Sequence, residues 1–232
     1  MKILHVHNVR GTVGGIETNL LALAKGLASR GHLNRLLVVG TQHGSDPDSF
    51  DAAFNSGVSV ITEPEQTTET KAYAPDVVLI HKLLDPVSVY AISTIAPTAA
   101  YIHDYDYICP RRHKYFPLNR KICDQAMGWR CALRGCLLQR GNSFPLGLHS
   151  LSETIRRRDA FASLNRIFAA SQWMKRQLIL NGMLDEQIEI IPPVSDSETT
   201  GDAHVVISER RIIFVGQLLM GKGVDLLLTA CA

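Results

Sequence analysis

The chain begins, over residues 2–29, with the sequence KILHVHNVRGTVGGIETNLLALAKGLAS. Its first six residues, Lys2–His7, form an apolar run of the length of a β-strand. A glycine-containing loop follows, and Glu17–Ser29 then places apolar residues at helical spacing. Because a buried strand, a glycine turn and an amphipathic helix are the first parts of a β-α-β unit, this opening predicts an α/β domain.

The same alternation of short apolar runs and amphipathic segments continues along the chain. Strands made almost entirely of Val, Ile and Leu, with helices between them, are typical of a parallel sheet that is covered on both faces. We therefore predict a doubly wound, Rossmann-like α/β domain. The clearest further helix is Ser171–Asn181, and the predicted strands after the first are Arg35–Val39, Val58–Ile61, Asp76–Ile80, Thr98–Ile102, Arg166–Ala169 and Glu189–Ile191.

Two segments interrupt this alternation and divide the chain. Residues 105–143 have no clear period, which indicates a long functional excursion from a first domain of residues 1–191. Residues 192–209 are polar and begin with two prolines, as expected for a linker. Residues 210–232 then begin a second domain with a strand, Arg211–Val215, and a helix, Val224–Cys231. One strand and one helix cannot bury their own apolar faces, so we expect this second domain to be truncated.

The composition of the 232 residues is that of an ordinary globular protein, with 46% hydrophobic and 20% charged residues. The 24 Lys and Arg nearly balance the 22 Asp and Glu, so the overall charge indicates no particular partner. Neither a secretory signal nor an apolar run of membrane-span length is visible in the sequence. We therefore expect a cytoplasmic chain whose five cysteines do not form structural disulfides.

Basic residues are concentrated in the excursion. Between Cys109 and Arg140 there are eight basic residues and one acid, Asp124, whereas the rest of the chain has 16 bases and 21 acids. Together with Arg156–Arg158, this segment predicts peripheral contact with an anionic membrane at its inner face. A solvated face and favourable helix-end charges are the alternatives. No aromatic residues interleave with these bases in a known pattern, so we do not expect nucleic-acid binding.

Four cysteines lie in the same excursion, with 13, 7 and 4 residues between them. None of these spacings is the C-x-x-C of a common zinc site. Basic surroundings favour the thiolate, which is the form that binds metal or is oxidised. We therefore predict a structural Zn²⁺ or a redox-labile disulfide in the excursion, with free thiols as the alternative. The four residues are Cys109, Cys123, Cys131 and Cys136.

The loop after the first strand, residues 10–17, reads RGTVGGIE. Its glycines allow a ligand to approach the backbone, and the helix start that follows presents N–H groups to anionic oxygens. A tight turn needed only for packing is the alternative. The spacing is not G-x-G-x-x-G, and the second strand does not end in an acid that could hold an NAD ribose. A nicotinamide-dependent dehydrogenase is therefore disfavoured.

Several motifs, taken in order, resemble those of glycosyltransferase family 4, whose members have the GT-B fold. The resemblance covers nearly the whole chain, and the order of the motifs makes it specific. They are GGIE at 14–17, PDVV at 75–78 with His81, YIHDY at 101–105 with Cys109-Pro110, ASQWMK at 170–175, IEIIPP at 188–193, FVGQ at 214–217 and GKGVD at 221–225.

This resemblance implies an activity. In family 4 the first domain binds the acceptor, the second binds the nucleotide-diphosphate sugar, transfer retains the anomeric configuration, and no metal or other cofactor is required. The resemblance therefore implies a hexosyltransferase-like enzyme that acts on a glycan or lipid-linked acceptor, in surface polysaccharide or glycolipid assembly. An acceptor-binding module without activity of its own is the alternative.

The resemblance also implies site residues. The family usually has an arginine where this chain has Gln217, and the acidic pair of the family's second domain has no counterpart up to Ala232. We therefore expect the chain to be incomplete for catalysis. The implied catalytic residue, close to the transferred sugar, is His103, and the implied substrate-binding residues are Gly14, Gly15, Glu17, His81, Asp104 and, as a compact charge on the phosphates, Lys222.

Overall fold

The computed structural model describes residues 1–62, 65–116, 121–139, 147–194, 212–216, 218 and 222–231. The chain divides into two compact units, Met1–Ser195 and Asp196–Ala232. The boundary between the units falls within the predicted linker 192–209, most of which lies outside the described residues.

The first unit is built on a seven-stranded parallel sheet. Its strands are β1 (Lys2–Arg10), β2 (Leu33–His43), β3 (Val58–Ile61), β4 (Val77–Ile80), β5 (Thr98–Ile102), β8 (Arg166–Ala169) and β9 (Ile188–Ile190). They lie in the order β3-β2-β1-β4-β5-β8-β9. The chain runs outward from β1 to β3 and then returns across β1 to β4, so the strand order reverses between β1 and β4. The predicted doubly wound, Rossmann-like fold is confirmed.

The helices begin where polar residues can satisfy the free N–H groups of a first turn. The side chains of Asp85, Ser150 and Ser171 each accept a hydrogen bond from the backbone N–H three residues later. The helices of this unit are α1 (Gly15–Ala28), α2 (Pro47–Asp51), α3 (Gln66–Tyr73), α4 (Pro86–Ser93), α5 (Arg130–Leu133), α6 (Leu151–Ala162) and α7 (Gln172–Leu180), and a 3-10 turn spans Asp185–Gln187.

Strand β1 presents different residues to the two faces of the sheet. Leu4 and Val6 belong to the largest apolar core, on one face. His5 and His7 alternate with them, and both are buried on the other face, where His7 contacts α1. Since side chains alternate along a strand, the polar residues of β1 share the face that α1 covers.

The excursion is made mainly of turns. It contains α5, an isolated bridge between Tyr115 and Ile122, and β6 (Leu138–Gln139), which pairs antiparallel with β7 (Gly147–Leu148) just after the excursion. Within the predicted excursion, residues 117–120 and 140–143 lie outside the described part.

The second unit contains one described helix, α8 (Val224–Cys231), with the bounds that the sequence predicts. The prediction of a strand at Arg211–Val215 is wrong over residues 212–215, which form no strand. A strand needs a neighbour to pair its backbone N–H and C=O groups, and the described residues of this unit supply none. Across both units, no described helix has the length and apolar character needed to cross a membrane.

Candidate active site at the strand ends

The candidate site lies at the carboxyl edge of the sheet, where the strand order reverses. Loops that follow β1, β4 and β5 meet at this edge, which is where open α/β sheets bind their ligands. They contribute the glycine loop before α1, His81 after β4, and His103 after β5. The strand positions bring together residues that are about 100 positions apart in the sequence.

Three histidine rings form a continuous chain across these strands. His5 Nδ1 lies 3.1 Å from His81 Nε2, and His81 Nδ1 lies 3.4 Å from His103 Nε2. The ring centroids are 5.4 Å and 5.7 Å apart, and the ring planes are inclined to each other by 27° and 21°. His5 and His81 are 0% and 1% exposed, whereas His103 is partly exposed. His103 therefore joins a buried chain of imidazoles to the edge of the sheet.

All three rings are held neutral at neutral pH. Burial lowers the pKa of His5 to about 4, against a hydrogen bond to Asn34 Oδ1 that raises it. Burial also lowers the pKa of His81 well below its ordinary value, and positive charge on a neighbouring histidine would lower it further. Burial and then the charge of His7 lower the pKa of His103 to about 4, although the Asp104 carboxylate acts in the opposite direction. An imidazole in this array is a hydrogen-bonding group and not a cation.

His7 and Glu17 form a second buried pair beside the chain. His7 Nε2 lies 3.0 Å from Glu17 Oε1, and Glu17 Oε2 accepts a hydrogen bond from the Gly14 N–H at 2.7 Å. Burial alone would raise the pKa of Glu17, but its hydrogen bonds and the charge of His7 lower it. Both members of the pair also affect the pKa of His103. The start of α1 is thus tied to β1, close to His103.

The two glycines at the start of α1 differ in what they offer a ligand. Both are exposed, but the N–H of Gly14 is already bound by Glu17. At Gly15 an added Cβ would meet no heavy atom within 4 Å. Packing therefore does not require glycine at position 15, and the tight-turn alternative does not explain it. The open space beside Gly15, at the N-terminal end of α1, suits the approach of an anionic group.

Asp104 and its neighbours form an ion-pair cluster. Lys82 Nζ contacts the carboxylates of both Asp104 and Asp106, and Arg112 Nε lies 3.3 Å from Asp106 Oδ1. Asp104 also accepts a hydrogen bond from the Asp106 N–H at 3.0 Å. Asp104, which the sequence analysis predicts to bind substrate, is therefore paired with Lys82 of the same chain.

Sequence reasoning missed five residues around this site. The alternation His5-Val6-His7 within an apolar strand was a usable signal, because it places two histidines on one face. The partners of these rings carry no comparable signal, since they come from other elements. The missed residues are His5, His7, Asn34, Lys82 and Asp106. Of the predicted residues outside this site, Lys222 is an exposed residue of the second unit, and Gln217 lies outside the described residues.

Residues 13–199 match the sequence profile described as Glycosyltransferase Family 4. The chain belongs to glycosyltransferase family 4. This confirms the family that the motifs predict.

Comparison with solved structures finds a similar fold in parts of longer proteins. HepE from Anabaena, solved in complex with UDP and glucose, has 16% sequence identity and a TM-score of 0.50 over 83% of this chain and 44% of HepE. A glycosyltransferase from Rickettsia africae has 16% identity and a TM-score of 0.48, over 82% of this chain and 42% of that protein. The comparison with curated proteins gives no match. The chain therefore spans less than half the length of these structures, and at this identity the similarity shows the fold alone.

The four cysteines of this family 4 domain are free thiols in the structure, and Cys109 and Cys136 are buried. Burial and then the neighbouring cysteines raise the pKa of Cys136 to about 11, and burial also raises the pKa of Cys131. The expectation that basic neighbours favour the thiolate is therefore wrong for these two residues, because burial outweighs the nearby charges. In the described parts of the chain, no three His, Cys, Asp or Glu side chains are arranged to hold a metal ion. The zinc site stays a prediction.

The arginines of α6 are partly neutralised. Arg157 pairs with Glu153, and Arg158 pairs with Asp159 at 2.6 Å, whereas Arg156 is exposed. Of the basic residues of the excursion, Arg120 and Arg140 lie outside the described residues. The α6 surface therefore carries less unpaired positive charge than its sequence indicates.

Proposed function

We propose that this chain is the acceptor-side half of a retaining, sugar-nucleotide-dependent glycosyltransferase. The observation that supports this most is the position of His103. Its neutral ring stands at the carboxyl edge of β5, near the His7–Glu17 pair that fixes the start of α1. In this proposal the sugar and the diphosphate bind beside the strand reversal, where open α/β sheets place their ligands.

The reaction breaks the bond between the anomeric carbon and a diphosphate oxygen, and forms a bond from that carbon to an acceptor oxygen. Positive charge develops on the sugar and negative charge on the leaving diphosphate. Preorganised groups stabilise such charges without reorganising. A protonated imidazole beside the sugar would repel its positive charge, so the lowered pKa of His103 suits this place. The first turn of α1 at Gly15 offers N–H groups to the phosphates. Lys222 remains a proposed phosphate ligand on the family resemblance alone.

We propose a UDP-sugar as the donor to test first, since HepE was solved with UDP, with UDP and glucose, and with UDP-glucose. The acceptor in this proposal is a glycan or a lipid-linked sugar, in surface polysaccharide or glycolipid assembly. The bases of the excursion and the exposed Arg156 then favour contact with an anionic membrane from the cytoplasmic side. Equal sedimentation with anionic and neutral vesicles would remove that part of the proposal.

The test of the activity is UDP release from UDP-sugars by this chain joined to a complete family 4 nucleotide-sugar-binding domain, measured with and without lipid-linked acceptors. We expect acceptor-dependent release, and about a 100-fold lower kcat/KM in His103→Gln, the order of loss seen when one stabilising group of an active site is removed. His43→Gln, at an exposed residue of β2, is the matched control and should retain the activity. Equal rates in His103→Gln and the unmodified chain would exclude His103 as the catalytic residue.

A second candidate function is acceptor binding without transfer. It is favoured by the second unit, where the described residues hold one helix with Leu226 and Leu228 exposed. Acceptor-induced shifts of the His103 ring signals without any release of UDP would support this function over the first.

A further inference from the structure

The buried amide of Asn34 has one orientation that satisfies its neighbours. Asn34 Nδ2 lies 3.3 Å from the Ala24 carbonyl oxygen and 3.4 Å from that of His32. Carbonyl oxygens accept hydrogen bonds and cannot donate them, so the atom that faces them must be the NH₂ group. The other end, Oδ1, faces His5 Nε2 at 3.1 Å. Because this oxygen can only accept, His5 must carry its hydrogen on Nε2.

The tautomer of His5 determines those of the next two rings. A neutral imidazole carries one N–H, so His5 Nδ1 is the acceptor for His81. His81 Nε2 therefore donates across the 3.1 Å contact, which leaves His81 Nδ1 as an acceptor. His103 Nε2 then donates across the 3.4 Å contact. Each ring therefore donates its Nε2–H to the next residue inward: His103 to His81, His81 to His5, and His5 to Asn34. This leaves His103 with an unprotonated Nδ1.

We propose that Asn34, acting through His5 and His81, fixes His103 in the tautomer whose Nδ1 accepts a hydrogen bond from a hydroxyl group of the transferred sugar. The opposite direction of the chain would place the His5 Nε2 lone pair against Asn34 Oδ1, with both atoms buried and neither carrying a hydrogen. Asn34, His5 and His81 are positioning residues in this proposal, since all three are buried. This also explains why His81, predicted to bind substrate, is 1% exposed.

The fixed direction has a consequence for recognition. A ring with its hydrogen on Nδ1 would present a donor to the sugar, whereas this array presents an acceptor. A group prepared in advance loses no interaction energy in reorienting when the substrate binds. The identity of the bound group as a sugar hydroxyl rests on the proposed function, but the tautomer of His103 does not.

The experiment measures the ring nitrogens of the chain labelled with ¹⁵N-histidine, by long-range ¹H–¹⁵N correlation near pH 7.5 and without ligand. We expect an unprotonated Nδ1 and a protonated Nε2 for all three rings. A protonated Nδ1 on His103, or an equal mixture of its two tautomers, would overturn the proposal. Because no substrate is present, this result is separate from the UDP-release assay, which can fail or succeed independently.

The role of Asn34 is tested with Asn34→Leu, which removes the acceptor at the inner end of the chain. We expect the Nδ1–H fraction of His103 to rise several-fold. Asn181→Leu is the matched control, because Asn181 is also a buried amide and its side chain binds Met127 N and Gln177 O but no histidine. If Asn34→Leu does not fold, His5→Phe interrupts the same chain one step later. An unchanged His103 in whichever of the two variants folds would show that its tautomer is set elsewhere.

Discussion

Glu17 connects three parts of the molecule through one carboxylate. Its two oxygens bind His7 of β1 and the Gly14 N–H at the start of α1, and the side chain is buried. A buried carboxylate is tolerated where both oxygens have hydrogen-bond partners. At the scale of the residue, Glu17 fixes the position of the glycine loop and does not offer a free carboxylate to a ligand.

We expect Glu17→Gln to destabilise the chain by about 1–3 kcal/mol near pH 7, since a neutral amide cannot accept from both partners. The pKa of Glu17 is lowered in the folded chain from its ordinary value of 4.5. The stabilisation of the fold by the ionised Glu17 carboxylate is therefore complete above pH 4.5. It is lost as the pH falls through the lower pKa of Glu17 in the folded chain. Urea unfolding at several pH values measures this difference. Glu189→Gln, at an exposed residue of β9, is the control. If the difference in unfolding free energy between Glu17→Gln and the unmodified chain did not decrease below about pH 4.5, this account would be contradicted.

The residues of the site were predictable to different degrees. His103 and Gly15 follow from the family motifs and from their places after strands, because those places need only the strand order. The contact of His5 with Asn34 was not predictable, since it depends on the register of β1 against β2 and on side-chain rotamers. Burial of His81 was missed for the same reason: the sequence shows that it follows a strand, but not that other rings cover it.

At the scale of the elements, three short strands were the easiest to predict. The bounds of Val58–Ile61, Thr98–Ile102 and Arg166–Ala169 are those of the sequence analysis, because each is a short, mainly apolar run. Strand β1 continues beyond its predicted end at His7 to Arg10. After an irregularity between His7 and Val9 it pairs again with β2, and such pairing depends on a distant strand and not on local sequence.

After its first residues, which place Tyr107 and Ile108 in the main core, the excursion has little buried apolar material. Over its described positions from 111 to 138, the buried side chains are Lys114, Met127 and Cys136. Small segments without a sufficient core are usually stabilised by cross-links or metals. Cys131 and Cys136 are joined by a backbone hydrogen bond at 2.9 Å, and their pKa values respond to Cys109 and Cys123. In the described residues no three metal-binding side chains are arranged to hold an ion, and the raised pKa values of Cys131 and Cys136 oppose the release of protons that metal binding requires. The predicted zinc site therefore requires the cysteines to rearrange when the metal binds.

We expect purified chain to contain about one zinc ion per molecule, because binding of the metal would replace the thiol protons and stabilise an otherwise weakly packed segment. Mass spectrometry of the metal content is the measurement. Cys131→Ser should lose the metal, whereas Cys231→Ser, at an exposed cysteine of α8, should keep it. If the purified chain contained no stoichiometric metal and all five of its cysteines reacted with a thiol reagent, the alternative of free thiols would be correct.

At the scale of the whole first unit, the histidine chain couples the site to the stability of the fold. The rings lie between β1, β4 and β5 on the face that α1 covers, so protonating them would charge the interior. Unfolded histidines take up protons near their ordinary pKa of 6.5, whereas folded His5 and His103 do so at about 4. The unfolded state therefore binds more protons in this interval, and the stability of the fold decreases as the pH falls from 6.5 to about 4.

We expect this decrease to reach about 3 kcal/mol for His5 alone, since each pKa unit of difference corresponds to about 1.4 kcal/mol. That is a large part of the roughly 5–15 kcal/mol by which small proteins are stable, so the chain should unfold in acid before its carboxylates are fully protonated.

Urea unfolding between about pH 7.5 and pH 5 gives the slope of stability against pH. In His5→Gln the slope should be shallower, whatever the substitution costs at neutral pH, because the variant side chain does not titrate. His43→Gln removes an exposed histidine and controls for the loss of a titrating group outside the chain of rings. If His5→Gln kept the slope of the unmodified chain, protonation of the buried rings would not be what destabilises the fold in acid.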